Sequence, residues 1–292
     1  MQAAPRRIDK EKAMLEADLK LDNGHTLHYY DQGARDSDAL AVFWLHGTPN
    51  IGRPPEPLFA EGARLGIRWL GYDRPGYSGS TRRPGRDIAS AATDVARIAD
   101  VLGIERFAVM GHSGGGPHAL ACAALLPDRV EAAVSGAGLA PYNAAGLDWF
   151  AGMRPSGVAG LRAALAGQDA KAAYEAAKPE FDREMFTGAD WAALAGPWGW
   201  FESVVQPAIV AGPDGLIDDD IAYVTPWGFD CTAITRPVLL LHGGADRLVP
   251  HSHSAWLARR CPTAELWDQP DDGHISVLSN APRALEWLRR QG

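Results

Sequence analysis

The sequence is poor in cysteine, and its cysteines form no cluster. Cys122, Cys231 and Cys261 are an odd number at wide spacing, with no Cys-x-x-Cys pair and no cysteine and histidine pattern that could hold zinc. These absences exclude a structural zinc site of the common kinds. Scattered thiols of this sort fit a reducing compartment, so the sequence predicts a cytoplasmic location.

Long hydrophobic runs are absent as well. No segment approaches the ~20 consecutive apolar residues that a membrane-spanning helix needs. Residues 1–14 are polar and charged and lack the apolar stretch of an export signal. We therefore expect neither a membrane anchor nor export. The sequence also has no fixed-period repeat and no low-complexity linker.

Positive charge is scarce relative to negative charge. The 28 Lys and Arg against 36 Asp and Glu give a formal net charge of −8 at pH 7, and the basic residues form only short pairs such as Arg6-Arg7 and Arg289-Arg290. Such a surface repels phosphate backbones, so nucleic acid is not an expected partner. The 292 residues, 46% of them hydrophobic, suffice for one large domain with its own core. They give no indication of an oligomer.

The chain does contain a series of short apolar runs typical of buried parallel strands. The runs cover residues 41–45, 67–72, 107–110, 130–134, 238–241 and 264–267. Two earlier runs, 17–21 and 26–31, flank Asn23-Gly24 and predict a hairpin. Segments with apolar residues three to four apart, such as 87–102 and 117–126, predict intervening helices. This alternation predicts an α/β fold with a mostly parallel eight-stranded sheet and helices on both faces.

The alternation breaks between residues 141 and 230, where the sequence is rich in Ala, Gly and Trp and no strand pattern occurs. It resumes at Val238 and ends in an amphipathic helix over 282–290. We therefore predict a core formed by residues 1–140 and 231–292, with a helical cap, or lid, inserted at 141–230. Ligands of open α/β sheets bind beyond the carboxyl ends of the strands, which directs attention to the residues after each run.

Directly after the 107–110 run stands Gly111-His112-Ser113-Gly114-Gly115, followed by a helical pattern. A G-x-S-x-G sequence between strand and helix is the mark of a nucleophile elbow, a sharp strained turn that needs small residues on either side of the serine. A glycine-rich turn with an incidental serine is the alternative interpretation. The placement after a strand favours Ser113 as a nucleophile.

A serine nucleophile requires a base and a carboxylate to orient it. Asp246 follows the 238–241 run and His274 follows the 264–267 run, so the order Ser, Asp, His is the one that such folds use. No Asp or Glu occurs within 135–141, the other common location for the acid. The sequence also predicts an oxyanion hole from the backbone N–H groups of Thr48, in His46-Gly47-Thr48-Pro49, and Gly114.

These motifs, together with Tyr72-Asp73-Arg74-Pro75-Gly76-Tyr77-Ser78, resemble the α/β-hydrolase superfamily over nearly the whole chain. The similarity is greatest to its capped serine esterase, non-haem haloperoxidase and proline iminopeptidase-like branch, and it implies acyl transfer through a serine ester. Haloalkane dehalogenases and epoxide hydrolases use aspartate at the position of Ser113, which argues against both. Iminopeptidases typically carry tryptophan at the position of Gly114, which weakens that assignment.

Several other histidines, tryptophans and acidic residues could serve either function or packing. His46 and His242 are expected to brace loops, and His112 is expected to pack or hydrogen-bond locally rather than to act in catalysis. His118, His251 and His253 lack partners at ligand spacing, so no metal and no cofactor is predicted. Trp149, Trp198 and Trp200 are candidates for an apolar substrate pocket, although most aromatics of the cap should serve packing. The run Asp218-Asp219-Asp220 is expected to start a helix or form a solvated face without a binding role.

The sequence thus predicts a serine hydrolase that acts on a small-molecule carboxylic ester of small or medium size. Two alternatives stay open within enzymes: cleavage of amides, with Glu180 or Glu202 of the cap holding a substrate ammonium group, and cleavage of carbon–carbon bonds. A third is a receptor-like protein that keeps the triad but turns over slowly.

Overall fold

A computed structural model describes residues 14–33 and 38–292. Residues 1–13, which include most of the segment predicted to lack an export signal, lie outside the described residues. Within the described part of the chain, no helix has both the length and the apolarity to cross a bilayer.

Eight strands form one sheet within the described residues. They are β1 (Leu15–Lys20), β2 (Thr26–Asp31), β3 (Leu40–Leu45), β4 (Ile67–Tyr72), β5 (Phe107–His112), β6 (Val130–Gly136), β7 (Val238–Gly243) and β8 (Ala264–Gln269). Their order is β1-β2-β4-β3-β5-β6-β7-β8. The pairs β1–β2 and β2–β4 are antiparallel, and all other neighbours are parallel. The predicted mostly parallel eight-stranded sheet is confirmed.

Ten α-helices connect or cover these strands in the described ranges. They are α1 (Phe59–Arg64), α2 (Ser90–Val101), α3 (Gly115–Leu125), α4 (Pro155–Leu165), α5 (Gln168–Ala176), α6 (Gly188–Ala195), α7 (Phe201–Ala211), α8 (Asp214–Val224), α9 (Ser252–Arg260) and α10 (Ala281–Arg289). Short 3-10 turns occur between several of them, including Pro197–Trp200.

The core lies in two layers, one on each face of the sheet. Side chains of a strand alternate between faces, so in β3 Phe43 and Leu45 join one cluster while Val42 and Trp44 join the other. Helices α2, α3 and α9 contribute to the first cluster, and α7 and α10 to the second. Helices on both faces follow from strands that are apolar on both sides, as the sequence predicts.

Helices α4 to α8 lie between β6 and β7, and no described residue between those strands belongs to a strand. We call residues 141–230 the inserted segment. Helix α4 packs against α5 and α8. The division of the chain into core and lid with these boundaries stays a prediction.

The acidic run of the inserted segment departs from the expectation of a solvated face. All three carboxylates lie within α8, and each pairs with a different basic residue. The pairs are Asp218–Arg82 at 2.9 Å, Asp219–Arg74 at 2.6 Å and Asp220–Lys171 at 2.6 Å. The expectation is wrong because the pairing bases are far away in sequence: Arg74 and Arg82 follow β4. Since an unpaired buried charge costs several kcal/mol, these pairs hold α8 against the segment that follows β4 and against α5.

Candidate active site

Ser113 stands in a strained turn at the carboxyl edge of the sheet. It follows the last residue of β5 directly, and α3 begins two residues later. Its φ of 56° lies in the left-handed region, which costs a residue other than glycine about 1–3 kcal/mol and occurs mainly at functional sites. The turn is held because the Ser113 N–H donates to the carbonyl of Gly136 at 2.8 Å.

The glycines on either side of this turn are required by close backbone contacts. A Cβ on Gly111 would lie 2.1 Å from the carbonyl oxygen of Gly115, and a Cβ on Gly115 would lie 1.8 Å from that of Leu45. No side chain fits such distances. The arrangement is a strand, a sharp turn and a helix, and it is the one that the G-x-S-x-G pattern predicts.

Asp246 and His274 meet in neighbouring loops after β7 and β8. The Nδ1–H of His274 donates to Oδ2 of Asp246 at 2.7 Å, and both side chains are buried. The other carboxylate oxygen, Oδ1, accepts the backbone N–H groups of Leu248 at 2.9 Å and Val249 at 3.0 Å. Because Nδ1 carries the proton, Nε2 of His274 is the nitrogen with a free lone pair.

Electrostatics favour an ionised Asp246 and a basic His274. Burial alone would raise the pKa of Asp246, but His274 and His242 outweigh it and hold that pKa well below its ordinary value. Burial alone would lower the pKa of His274, but the charge and hydrogen bond of Asp246 outweigh it and raise that pKa above 6.5. The pair therefore behaves as a stronger base than a free imidazole.

His112 connects this pair to the serine turn. Its Nε2–H donates to the backbone carbonyl of His274 at 2.8 Å, and the two imidazole rings lie 5.0 Å apart. His112 immediately precedes Ser113, so Ser113 and His274 lie at the same edge of the sheet. The Ser113 hydroxyl itself makes no hydrogen bond with another described residue. Bonds between nucleophile and base are often long in a resting site and tighten when substrate binds.

The loop after β3 approaches the serine turn from the other side. A Cβ on Gly47 would lie 3.4 Å from Cβ of Ser113, and a Cβ on Gly114 would lie 2.8 Å from the hydroxyl oxygen of Thr48. Thr48 and Gly114, the two residues predicted to form the oxyanion hole, are thus neighbours beside Ser113.

Arg74 holds this loop in place. Its guanidinium donates to the carbonyl of His46 at 2.5 Å and to that of Gly47 at 3.1 Å. The Arg74 backbone N–H donates to Nε2 of His46 at 3.1 Å, and Nδ1–H of His46 donates to the Gly47 carbonyl at 2.8 Å. Burial lowers the pKa of His46 far below its ordinary value, so the ring is neutral and bracing, as expected.

Asp190 of α6 is a buried residue that sequence reasoning missed. Its Oδ1 accepts the backbone N–H groups of Ile275 at 2.7 Å and Ser276 at 2.8 Å, the two residues after His274. Its Oδ2 accepts from the backbone and hydroxyl of Thr187, both at 2.9 Å. The spacing of Thr187 and Asp190 predicts a capping box at a helix start, but nothing local predicts the contact with the loop of His274.

Three of the other histidines hold neighbouring segments through hydrogen bonds. His242 accepts from the Ser254 hydroxyl at 2.6 Å and donates to the Val249 carbonyl at 2.7 Å. His118 donates to the carbonyl of Gly114 at 2.8 Å, and His253 donates to that of Trp149 at 2.9 Å. Within the described ranges, His, Cys, Asp and Glu form no group of three that could hold a metal ion.

The three tryptophans proposed for a pocket are buried in the core clusters. Trp149 joins the first cluster and donates its indole N–H to the carbonyl of Ala140 at 2.7 Å, while Trp198 and Trp200 join the second cluster. A cavity of about 260 Å³, lined by Trp227, Trp256 and other residues, lies between the two ends of the inserted segment and does not include Ser113. A pocket role for the three tryptophans stays a prediction.

Comparison with known proteins gives one consistent fold. A family profile described as the alpha/beta hydrolase fold matches residues 41–281. A protein of Caulobacter sp. (strain K31), provisionally assigned as a carbamate hydrolase, is 31% identical over 270 residues, which cover 89% of this chain and 92% of the relative. A non-heme chloroperoxidase of Streptomyces lividans is 28% identical over 240 residues, 80% of this chain and 83% of the relative.

A solved structure is similar over almost the full length. The thermophilic esterase from Thermogutta terrifontis with malate bound matches with a TM-score of 0.68 at 21% identity, covering 95% of this chain and 99% of that chain. Similarity at this identity shows the fold alone. The names of these relatives state different activities, so they do not single out a substrate.

Proposed function

Because the chain belongs to the α/β-hydrolase family, whose profile spans residues 41–281, we propose that this hydrolase is a serine esterase. Ser113 is the nucleophile, His274 the general base and Asp246 the carboxylate that orients it. The observation that carries the proposal is the 2.7 Å bond between His274 and Asp246, in a loop that His112 ties to the strained turn of Ser113.

The reaction proceeds through an acyl-enzyme. The Ser113 hydroxyl oxygen attacks the ester carbonyl carbon, its proton passes to Nε2 of His274, and the carbonyl electrons move onto the oxygen. The backbone N–H groups of Thr48 and Gly114 stabilise this oxyanion. When the intermediate collapses, the carbon–oxygen bond to the alcohol breaks and His274 returns its proton to the alcohol.

The second half repeats these steps with water as the nucleophile. His274 takes a proton from water while the water oxygen attacks the acyl carbon, and the proton then returns to the Ser113 oxygen as the carboxylic acid leaves. Asp246 stays ionised throughout and stabilises the imidazolium that forms twice in the cycle.

A neutral ester of small or medium size is the proposed substrate. Arg74 is the cation that contacts the loop of Thr48. It forms an ion pair with the buried Asp219 at 2.6 Å and is therefore not free to bind an anionic substrate. Glu180 and Glu202, the candidates for holding an ammonium group, are both exposed. No contact favours the amide or carbon–carbon alternatives over the ester.

The deciding experiment is active-site labelling with a fluorophosphonate, mapped by mass spectrometry, followed by a panel of aryl esters of increasing acyl length. We expect a single label on Ser113, none in Ser113→Ala, and turnover that peaks at short or medium chains. Labelling at another residue would overturn the assignment. A Pro-arylamide assayed beside the esters distinguishes the amide alternative, and ligand-induced stabilisation with negligible turnover would favour the receptor alternative.

A further inference from the structure

Tyr223, near the end of α8, reaches the serine turn from the inserted segment. Its side chain is 3% exposed. A Cβ on Gly114 would lie 2.0 Å from the Tyr223 hydroxyl oxygen, and that oxygen lies 2.7 Å from Oγ1 of Thr48. The phenol is therefore in contact with both residues of the proposed oxyanion hole.

The direction of the hydrogen bonds around Thr48 follows from its single proton. The Thr48 hydroxyl donates to Oδ2 of Asp219 at 2.5 Å. Asp219 is fully buried and also pairs with Arg74 and Arg86, both at 2.6 Å, so it is an ionised acceptor. With the Thr48 proton committed to Asp219, Tyr223 donates its own proton to Oγ1 of Thr48.

This proton can change its acceptor at little cost. Arg74 Nη2 shares its two hydrogens among Asp219, the Gly47 carbonyl and Oγ1 of Thr48, the last at 3.2 Å, so the threonine oxygen keeps a shared donor when Tyr223 turns away. A negatively charged oxygen is a stronger acceptor than a neutral hydroxyl, and hydrogen bonds to it are roughly twice as strong. Burial and the nearby Asp219 carboxylate raise the pKa of Tyr223 far above its ordinary value, which keeps the phenol protonated.

We propose that Tyr223 is a catalytic residue whose hydroxyl donates a third hydrogen bond to the oxyanion, beside the backbone N–H groups of Thr48 and Gly114. The inference rests on the proposed function of Ser113. It accounts for glycine at position 114, because any side chain there would displace the hydroxyl. It also gives the inserted segment a part in the chemistry itself.

The test compares Tyr223→Phe with Tyr77→Phe. The Tyr77 hydroxyl is also buried and donates to the same Oδ2 of Asp219, at 2.8 Å, but its ring packs against His46. Tyr223→Phe is expected to lower kcat about 10²-fold with little change in KM, as loss of one oxyanion donor does. Binding of a trifluoromethyl ketone, which forms the same oxyanion, should weaken by a similar factor. Tyr77→Phe should keep both within about threefold.

The outcomes separate this inference from the proposed function. If the native protein labels at Ser113 and turns over esters while Tyr223→Phe keeps native kcat and ketone affinity, the role of Tyr223 is refuted and the esterase stands. If Ser113 does not label at all, the proposed function fails first. Equal losses in both tyrosine variants would show a structural role and overturn the inference.

A second measurement covers the case in which Tyr223→Phe does not fold. Fluorotyrosine at position 223 keeps the hydroxyl, and its ¹⁹F resonance reports the hydrogen bond of the phenol. We expect the resonance to move when the ketone adduct forms, while the resonance of fluorotyrosine at position 77 stays in place. An unchanged resonance at 223 in the adduct would contradict the proposal.

Discussion

The carboxylate of Asp190 accepts the backbone N–H of Ile275, the residue that follows the proposed base, at 2.7 Å. The inserted segment thereby holds the loop that carries His274. The negative charge of Asp190 adds to the larger effect of Asp246 in raising the pKa of His274 against burial. Burial alone would raise the pKa of Asp190, but the N–H groups that it accepts outweigh burial and hold that pKa below its ordinary value. In the proposed mechanism, Asp190 is a positioning residue that acts through His274.

We predict that Asp190→Asn lowers kcat roughly tenfold and moves the rising limb of the pH–rate profile to lower pH. The amide removes a negative charge near His274 and points an NH2 group at donors of Thr187, which should cost about 1–3 kcal/mol of unfolding free energy. Initial rates over pH 5–9 and urea unfolding measure the two effects.

Asp182→Asn serves as the control for that prediction. Asp182 also lies in the inserted segment and pairs with Arg154 at 3.0 Å, near the surface. Its loss should leave the pH–rate profile unchanged. A profile shifted equally by both substitutions would contradict a specific role for Asp190.

The proposed base predicts the sign of the pH dependence. His274 must be neutral to accept a proton, so kcat/KM should rise with pH through an apparent pKa above 6.5, the ordinary value from which Asp246 raises it. In Asp246→Asn the opposing charge is gone and burial dominates, so the limb should move below that value. The wrong tautomer should also lower kcat by about 10⁴. A limb that does not move would refute the pairing.

The raised pKa of His274 also predicts how the unfolding free energy depends on pH. Because the folded-state pKa of His274 is raised, its pairing with Asp246 stabilises the protein fully below the unfolded pKa, and this contribution is lost as pH rises through the folded-state pKa. The unfolding free energy that His274→Gln forfeits should therefore be larger at pH 5.5 than at pH 9. Urea titrations at the two pH values measure it; an equal loss would contradict the raised pKa.

Substitutions of Ser113, in the strained turn, should affect activity and stability differently. Ser113→Ala should lower turnover by roughly 10⁶ with unchanged unfolding free energy, since alanine at a φ of 56° is strained as serine is. Ser113→Gly should be equally inactive but at least as stable, because glycine tolerates positive φ and the relief offsets its backbone entropy. Thermal unfolding of both variants tests this; a glycine variant clearly less stable than the alanine variant would argue against strain.

The buried ion pairs of Asp219 in α8 predict how the stability of the protein changes in acid. Burial alone would raise the pKa of Asp219, but Arg74 and Arg86 outweigh it and hold the pKa far below its ordinary value. Its stabilising contribution is thus present above the unfolded pKa near 3.9 and lost as pH falls through the folded-state pKa. Asp219→Asn, which leaves two arginines unpaired, should cost about 3–5 kcal/mol at pH 7.

Glu131→Gln is the matched control at a more exposed ion pair. Glu131 pairs with Arg106 at 2.8 Å, and Arg106 is largely exposed. Loss of such a pair should cost at most about 1 kcal/mol. Comparable losses in the two variants, measured by urea unfolding at pH 7, would contradict the burial argument for Asp219.

Most of the fold follows from local sequence because buried strands are runs of apolar residues. The strand predicted at 67–72 matches β4, and the run at 107–110 lacks only the last two residues of β5, Gly111 and His112. These two are missed because a glycine and a polar residue end an apolar pattern, although the backbone continues in the sheet. The placement of Ser113, Asp246 and His274 at one edge of the sheet is predictable because each follows a strand, and parallel strands share one carboxyl edge.

Contacts between the inserted segment and the rest of the chain are not predictable in this way. Asp190 bonds with residues 85 and 86 positions away, and Asp219 pairs with bases that follow β4. Such partners depend on how the inserted helices dock, which no local period reports. One signal was present in the sequence: Asp219 and Tyr223 are four residues apart, so they share one face of α8 with Ala222. Polar groups on a face that is otherwise buried point to a buried network.

The three carboxylates of α8 also restrict the motion of this helix. Moving this helix away from the segment that follows β4 would leave Arg74 without its counter-ion inside the protein, and that desolvated charge makes the motion rare. We therefore expect α8 to stay in place while substrate enters and product leaves. Exchanging the inserted segment for that of a relative would succeed only if the new segment also supplied a carboxylate for Arg74.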